Sequence, residues 1–125
     1  MTEEQMTDNG RPEQPVRLSI VTTVTEGIRV VTLAGEIDYN SSGQLRQALD
    51  VTGTARPRTV IDMCRVTFMD SSGINLLIGA HQDTTAAGGW LRLAAPTDAV
   101  LRVLQLVGVD QLIDCHPTRN QALAH

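Results

Sequence analysis

The residues with the most scope for chemistry lie in Val66-Thr67-Phe68-Met69-Asp70-Ser71-Ser72-Gly73-Ile74-Asn75-Leu76-Leu77, where an apolar strand runs into a carboxylate, two hydroxyls and a glycine that open a helix. A serine placed there is exposed, at a point where a helix presents unpaired backbone N–H groups and the positive end of its dipole. A phosphate can be added there without breaking the fold, so Ser71 and Ser72 are both candidate acceptors. The competing explanation is structural. Ser and Asp cap helices, stabilising by ~0.5–2 kcal/mol relative to alanine, and spacing alone favours capping. Gly73 likewise suits either close internal packing or the close approach of another backbone. Met69 is most simply core, although a flexible thioether beside the turn also suits a partner contact.

A second constellation is Gly35-Glu36-Ile37-Asp38-Tyr39-Asn40-Ser41-Ser42. Asp38 or Ser41 can cap the helix that follows, and Gly35 can relieve crowding. Catalysis is set aside at the serine turn, because a nucleophile elbow needs Gly-x-Ser-x-Gly and the residue two before Ser71 is Met69. There is no Gly-rich phosphate loop ending in Lys and no His-Glu pair with zinc spacing. Cys64 and Cys115 lack metal-ligand spacing and a secretory context, so reduced, partly buried thiols are expected and no metal. His81 falls on a helical stripe and reads as a partly buried packing residue, while His116 and His125 read as loop and tail.

The elements that must position these residues follow from periodicity. Leu18, Ile20, Thr22 and Val24 alternate with polar neighbours, Glu26-Gly27 punctuates, and Ile28 to Ala34 is apolar enough for a central strand, so a hairpin is predicted. Leu45, Ala48 and Leu49 recur at helical spacing up to Gly53. Thr59-Val60-Ile61 predicts a buried parallel strand leading through Val66-Thr67-Phe68 to the serine turn. Ile74, Leu77, Ile78 and His81 share one face of the next helix, which Gly88-Gly89 ends. Trp90 to Ala94 is a short strand, and Pro96-Thr97-Asp98 caps a helix whose stripe is Val100, Val103, Leu104 and Val107. Leu112-Ile113 is expected as a minimal last strand and Thr118 to Ala122 as a terminal helix. A hairpin followed by alternating strands and helices predicts an α/β fold with a mixed sheet.

The chain has 125 residues, enough for one domain with a core that needs no staples. Residues 1–15 are polar and acidic, carry Gly10, Pro12 and Pro15, and are expected as a disordered tail ahead of a single domain over residues 16–125. The formal charge is −4, and no lysine occurs, which argues against nucleic acid. No signal peptide is seen and no apolar run approaches the ~20 residues of a membrane helix, so a cytoplasmic protein without membrane contact is expected.

Phe68-Met69-Asp70-Ser71-Ser72-Gly73, with Gly35-Glu36-Ile37-Asp38 upstream, resembles the STAS domain of bacterial anti-sigma-factor antagonists, whose founding members act in sporulation and general stress control. The similarity runs from about Val16 to about Ala122. The resemblance implies a STAS-like sheet with its helices mainly on one face, and a regulator rather than an enzyme. It implies that unphosphorylated protein binds a serine-kinase anti-sigma factor and frees a sigma factor, that phosphorylation of Ser71 ends this, and that a metal-dependent phosphatase resets the cycle. No cofactor would be bound, since ATP and magnesium belong to the kinase. Glu36, Asp38 and Asn40 become candidate contacts beside Met69, Asp70, Ser72 and Gly73, with Asp38 foremost. Asn75 stands where the family often has a second small residue, a departure that bears on partner choice. The alternatives are an unphosphorylated STAS scaffold or sensory module, homodimeric or stacked with similar domains, and a small-molecule or nucleotide-binding module.

Overall fold

β-branched runs at the start of the described chain form the expected hairpin. β1 (Leu18–Thr25) pairs antiparallel with β2 (Ile28–Ile37), and Glu26 and Gly27 between them both have positive φ, 51° and 79°, as a two-residue turn matched to strand twist requires. The structure is a computed structural model and describes residues 18–124, so the expected tail over 1–15, and His125, lie outside the described residues. β2 pairs in parallel with β3 (Arg58–Met69), which is followed in the sheet by β4 (Trp90–Ala94) and β5 (Asp114–His116), both parallel. The sheet order is therefore β1-β2-β3-β4-β5, with one antiparallel edge. The helices are α1 (Tyr39–Ala48), α2 (Ser71–Ala86), α3 (Asp98–Leu106), a single turn α4 (Val109–Leu112) and α5 (Arg119–Leu123). Among the described residues no helix is long and apolar enough to cross a membrane.

Two cores divide the sheet. Leu33, Ile61, Leu77, Leu93 and Leu104 belong to the large one, which α1 to α4 cover; Ile28, Val60, Ala94 and Ala122 form the small one under α5. Val60 and Ile61 are successive strand residues, so their membership of different cores places the cores on opposite faces. The helices thus lie mainly on one face, as expected, with α5 on the other. α5 is held by charge. The Arg119 guanidinium donates to the Asp62 carboxylate (Nε to Oδ2, 2.8 Å) and to Thr32 Oγ1 (3.0 Å), and Arg92 Nη1 donates to the carbonyls of Ala122 (3.0 Å) and Ala124 (2.8 Å) while stacking over Trp90.

Several expectations fail locally. The last strand is Asp114–His116 rather than Leu112-Ile113, because Val109 and Ile113, four apart and both buried, continue a helical turn closed by the Ile113 amide on the Val109 carbonyl at 2.8 Å. His116 consequently ends a strand instead of lying in a loop. Val107 is the C-cap of α3 and 55% exposed rather than part of its buried stripe. Val24 is 71% exposed, since the hairpin tip runs beyond the helix layer that buries Leu18. Cys64 is exposed and not partly buried; Cys115 is partly buried as expected, and both thiols are free.

Candidate functional site

Both candidate constellations sit at the carboxyl ends of neighbouring parallel strands. Ile37 of β2 is the register partner of Met69 of β3, so Asp38 and Asp70, the next residue of each strand, come side by side where α1 and α2 begin. The Asp70 amide donates to the Ile37 carbonyl at 3.1 Å and ties the two strand ends together. Each aspartate is an N-cap. Asp38 Oδ1 accepts from the Ser41 amide (3.0 Å) and Ser41 Oγ accepts from the Asp38 amide (3.0 Å), a reciprocal capping box in which both of the expected capping residues take part. Ser41 is buried by this arrangement.

At the second cap, Asp70 Oδ1 accepts from the amides of Ser72 (2.9 Å) and Gly73 (3.4 Å). Two of the amides expected to await a phosphate are therefore already bonded, so an anion on Ser71 would compete with Asp70 instead of entering an empty cradle. Ser71 itself is the first residue of α2 and exposed, and among the described residues nothing bonds its hydroxyl. An unbonded hydroxyl beside two carboxylate caps is open to chemistry that undoes neither helix start. Ser72 is partly buried, and Asn40 and Asn75 are exposed. Glu36, partly buried, lies opposite Phe68 in the sheet register.

Met69 and Gly73 do not offer side-chain surface. Met69 is 4% exposed and in the large core, in accord with its simpler reading, and Gly73 is buried. A Cβ on Gly73 would come within 2.7 Å of Ile37 Cγ2 and of Met69 Cγ, so the first turn of α2 sits directly on the ends of β2 and β3. Gly73→Ala is expected to destabilise by about 1–3 kcal/mol through overpacking, outweighing alanine's better helix propensity. Thermal unfolding checks this; an unchanged or raised Tm would mean that Ile37 and Met69 simply move aside.

Two exposed aromatics and a groove escaped the sequence. Tyr39, 79% exposed, opens α1, and Phe68, 49% exposed, precedes the core residue Met69. Alternation would put Phe68 on the same face as buried Val66. The register of β2 against β3 shifts between Gly35 and Glu36, where Gly35 takes φ 115°, and that irregularity leaves Phe68 facing outward. The groove lies between α1 and α2, has a volume of about 950 Å³, and runs from Tyr39, Ser72 and Asn75 at the helix starts to Asp50 and Asp83.

Comparison with known proteins places this geometry in context. The profile of the STAS domain matches residues 19–122. The anti-sigma-B factor antagonist of Bacillus subtilis (strain 168) is 30% identical over 84 residues, 67% of this chain and 77% of that protein. The crystal structure of an anti-sigma factor antagonist from Mycobacterium paratuberculosis superposes with a TM-score of 0.76 at 28% identity, covering 85% of this chain and 91% of that one. An anti-sigma factor antagonist solved in its unphosphorylated form gives 0.69 at 25% identity, over 84% and 93% of the two chains.

Proposed function

This chain belongs to the STAS domain family of anti-sigma-factor antagonists, and from that premise we propose that it works by partner switching: unphosphorylated, it binds a serine-kinase anti-sigma factor and frees a sigma factor; phosphorylated on Ser71, it lets go. The chain is a regulator and a substrate, not a catalyst. The observation that carries the reading is the exposed, unbonded Ser71 hydroxyl at the start of α2, set beside the two aspartate caps. A relative solved in its unphosphorylated form supports phosphate as the modification.

Phosphate would bring about −1.5 to −2 charge next to Asp70 and near Asp38. A kinase surface shaped for a hydroxyl would then face three anionic groups, and like-charge juxtaposition across an interface costs several kcal/mol. A metal-dependent phosphatase would restore the binding form. Asp38 is the contact to test with most care, because it is also a cap. Asp38→Ala would lose about 0.5–2 kcal/mol of stability whatever its role. Asp38→Ser keeps a capping oxygen and removes the charge, so it is expected to lose less stability than Asp38→Ala while weakening kinase binding roughly tenfold, as titration calorimetry would read. Unchanged affinity would remove Asp38 from the interface.

The reading is tested by intact-mass and phosphopeptide analysis of the protein recovered from its native cells through growth and stress. Phosphate on Ser71 in a varying fraction of molecules is expected. Its absence under every condition would overturn the switch.

A further inference from the structure

The sheet has two edges, and only one of them is protected. β5 is three residues long and opens on an exposed aspartate; shortness and charge both discourage a further strand from adding there. β1 has neither. It runs eight residues in unbroken register with β2, and Leu18–Thr25 contains no charged residue and no proline, although 19% of the chain is charged. Val21 and Val24 on it are exposed, and Ile20 is a partly buried residue at the rim of the large core. The direction of its unused backbone groups follows from the hairpin. Glu26 and Gly27 form a two-residue turn, so the Thr25 carbonyl faces the Ile28 amide. Alternation along the antiparallel pair then turns the amides and carbonyls of Leu18, Ile20, Thr22 and Val24 away from β2. In keeping with that phase, the Leu18 carbonyl accepts from Gln44 Nε2 of α1 at 3.2 Å. Among the described residues no bond reaches the outward backbone groups of Ile20, Thr22 and Val24.

We propose that β1 pairs antiparallel with β1 of a second copy of this chain about a twofold axis at Thr22, joining two five-stranded sheets into one. On that axis the two Thr22 residues exchange both of their backbone hydrogen bonds, as do Ile20 of each copy and Val24 of the other, so every unused outward group is satisfied. The neighbouring axes do worse. An axis at Val21 sets Val24 against Leu18, whose carbonyl Gln44 already holds, and one at Thr23 leaves Ile20 opposite the turn residue Glu26. Side chains agree with the choice. Ile20, Thr22 and Val24 share the face of Leu18, so Val24 of one copy, exposed in the single chain, packs beside Ile20 of the other and extends the large core across the junction. The strand's lack of charge lets it meet its own copy without repulsion. Residues 1–17 are a poorer occupant, since they carry Pro12 and Pro15, which cannot donate, and the carboxylates of Glu3, Glu4, Asp8 and Glu13. A twofold axis here reverses the strand direction, so the two serine turns point to opposite ends of the joined sheet and neither covers the other. The pairing is independent of the partner-switching reading.

Sedimentation velocity of the full chain from about 5 μM to about 500 μM tests the pairing. A junction of single strands is at the small end of specific interfaces, so a Kd on the order of 10–100 μM is expected. Thr22→Pro removes an amide that β2 does not use, and Val24→Lys sets an ammonium against the apolar Ile20 of the other copy. Each is expected to weaken dimerisation at least about tenfold while circular dichroism shows the fold retained. Should Thr22→Pro fail to fold, Val24→Lys decides. Hydrogen exchange followed by NMR locates the contact: the amides of Ile20, Thr22 and Val24 are expected to slow as wild type is concentrated and to stay fast in Val24→Lys. A chain monomeric throughout that range overturns the proposal. So does a dimer that a folded Val24→Lys leaves intact, which would place the interface elsewhere. Protection of the three amides at every concentration would make residues 1–17 the occupant and refute the second copy.

Discussion

Replacing Ser71 by aspartate is expected to weaken binding of the kinase anti-sigma factor at least about a hundredfold while leaving Tm within about 3 °C of wild type. The two halves of that expectation have different physical origins. Stability is protected because Ser71 is not the cap of α2: Asp70 is, through the Ser72 and Gly73 amides, and the Ser71 side chain is exposed and unbonded among the described residues. Those same bonds leave the new carboxylate little backbone to bind. Repulsion from Asp70 is therefore offset mainly by the helix dipole and by water, which is why a small loss rather than a gain in Tm is expected. Affinity falls because an interface removes the water. Ser71→Ala should bind the kinase permanently, at close to wild-type affinity and stability. A large fall in Tm for Ser71→Asp would mean that the serine is part of the helix start, and unaltered kinase affinity would remove it from the interface.

The serine turn could be read from sequence because everything that defines it is local. A strand, an aspartate with the right spacing to α2's first amides and a small residue at Gly73 all fall within a few positions, and the Asp38–Ser41 capping box is equally compact. What escaped depends on pairing between distant segments. Phe68 faces outward only because β2 and β3 shift register at Gly35, a fact that neither strand reveals alone. The last strand lies beyond the apolar pair Leu112-Ile113 because Val109 and Ile113 carry helical spacing in too short a stretch to stand out in sequence. Occupied amides at the Asp70 cap likewise needed atomic geometry, since an aspartate before a helix can cap it or point away. The groove could not be seen in the glycines themselves; Gly43, Gly73 and Gly79 look alike in sequence, and only the space around each separates packing from vacancy.

Asp62 is the clearest case of a residue whose role needs the fold, and it carries the largest expected effect on stability. The residue is 4% exposed on the face of β3 that α5 covers, with Oδ1 accepting from the Cys64 amide at 3.0 Å and Oδ2 from Arg119. Removing one partner of a buried pair strands the other, at a cost of about 3–5 kcal/mol when both are enclosed. The Arg119 side chain is 45% exposed, so water can replace part of what it supplies, and about 2–3 kcal/mol is expected for Arg119→Ala. At roughly 4–8 °C per kcal/mol for a domain near this size, Tm should fall by about 8 °C or more. Burial by itself would push the Asp62 carboxyl up, but the Cys64 amide and the Arg119 guanidinium outweigh it and hold the group below its ordinary value. A carboxylate depressed in the fold stabilises above its unfolded pKa and loses that contribution as pH falls through the folded one. In Arg119→Ala the burial remains while the guanidinium is gone, so the carboxyl shifts upward and the variant's penalty is greatest at neutral pH. Denaturant unfolding of both proteins should therefore show the gap narrowing as pH falls through the acid range, from the point where Asp62 takes up a proton in the variant down to the lower point where it does so in the wild type. A gap that stays constant from pH 7 to pH 3 would mean that Arg119 holds α5 through Thr32 and side-chain packing rather than through charge, and Asp62→Asn would then cost little.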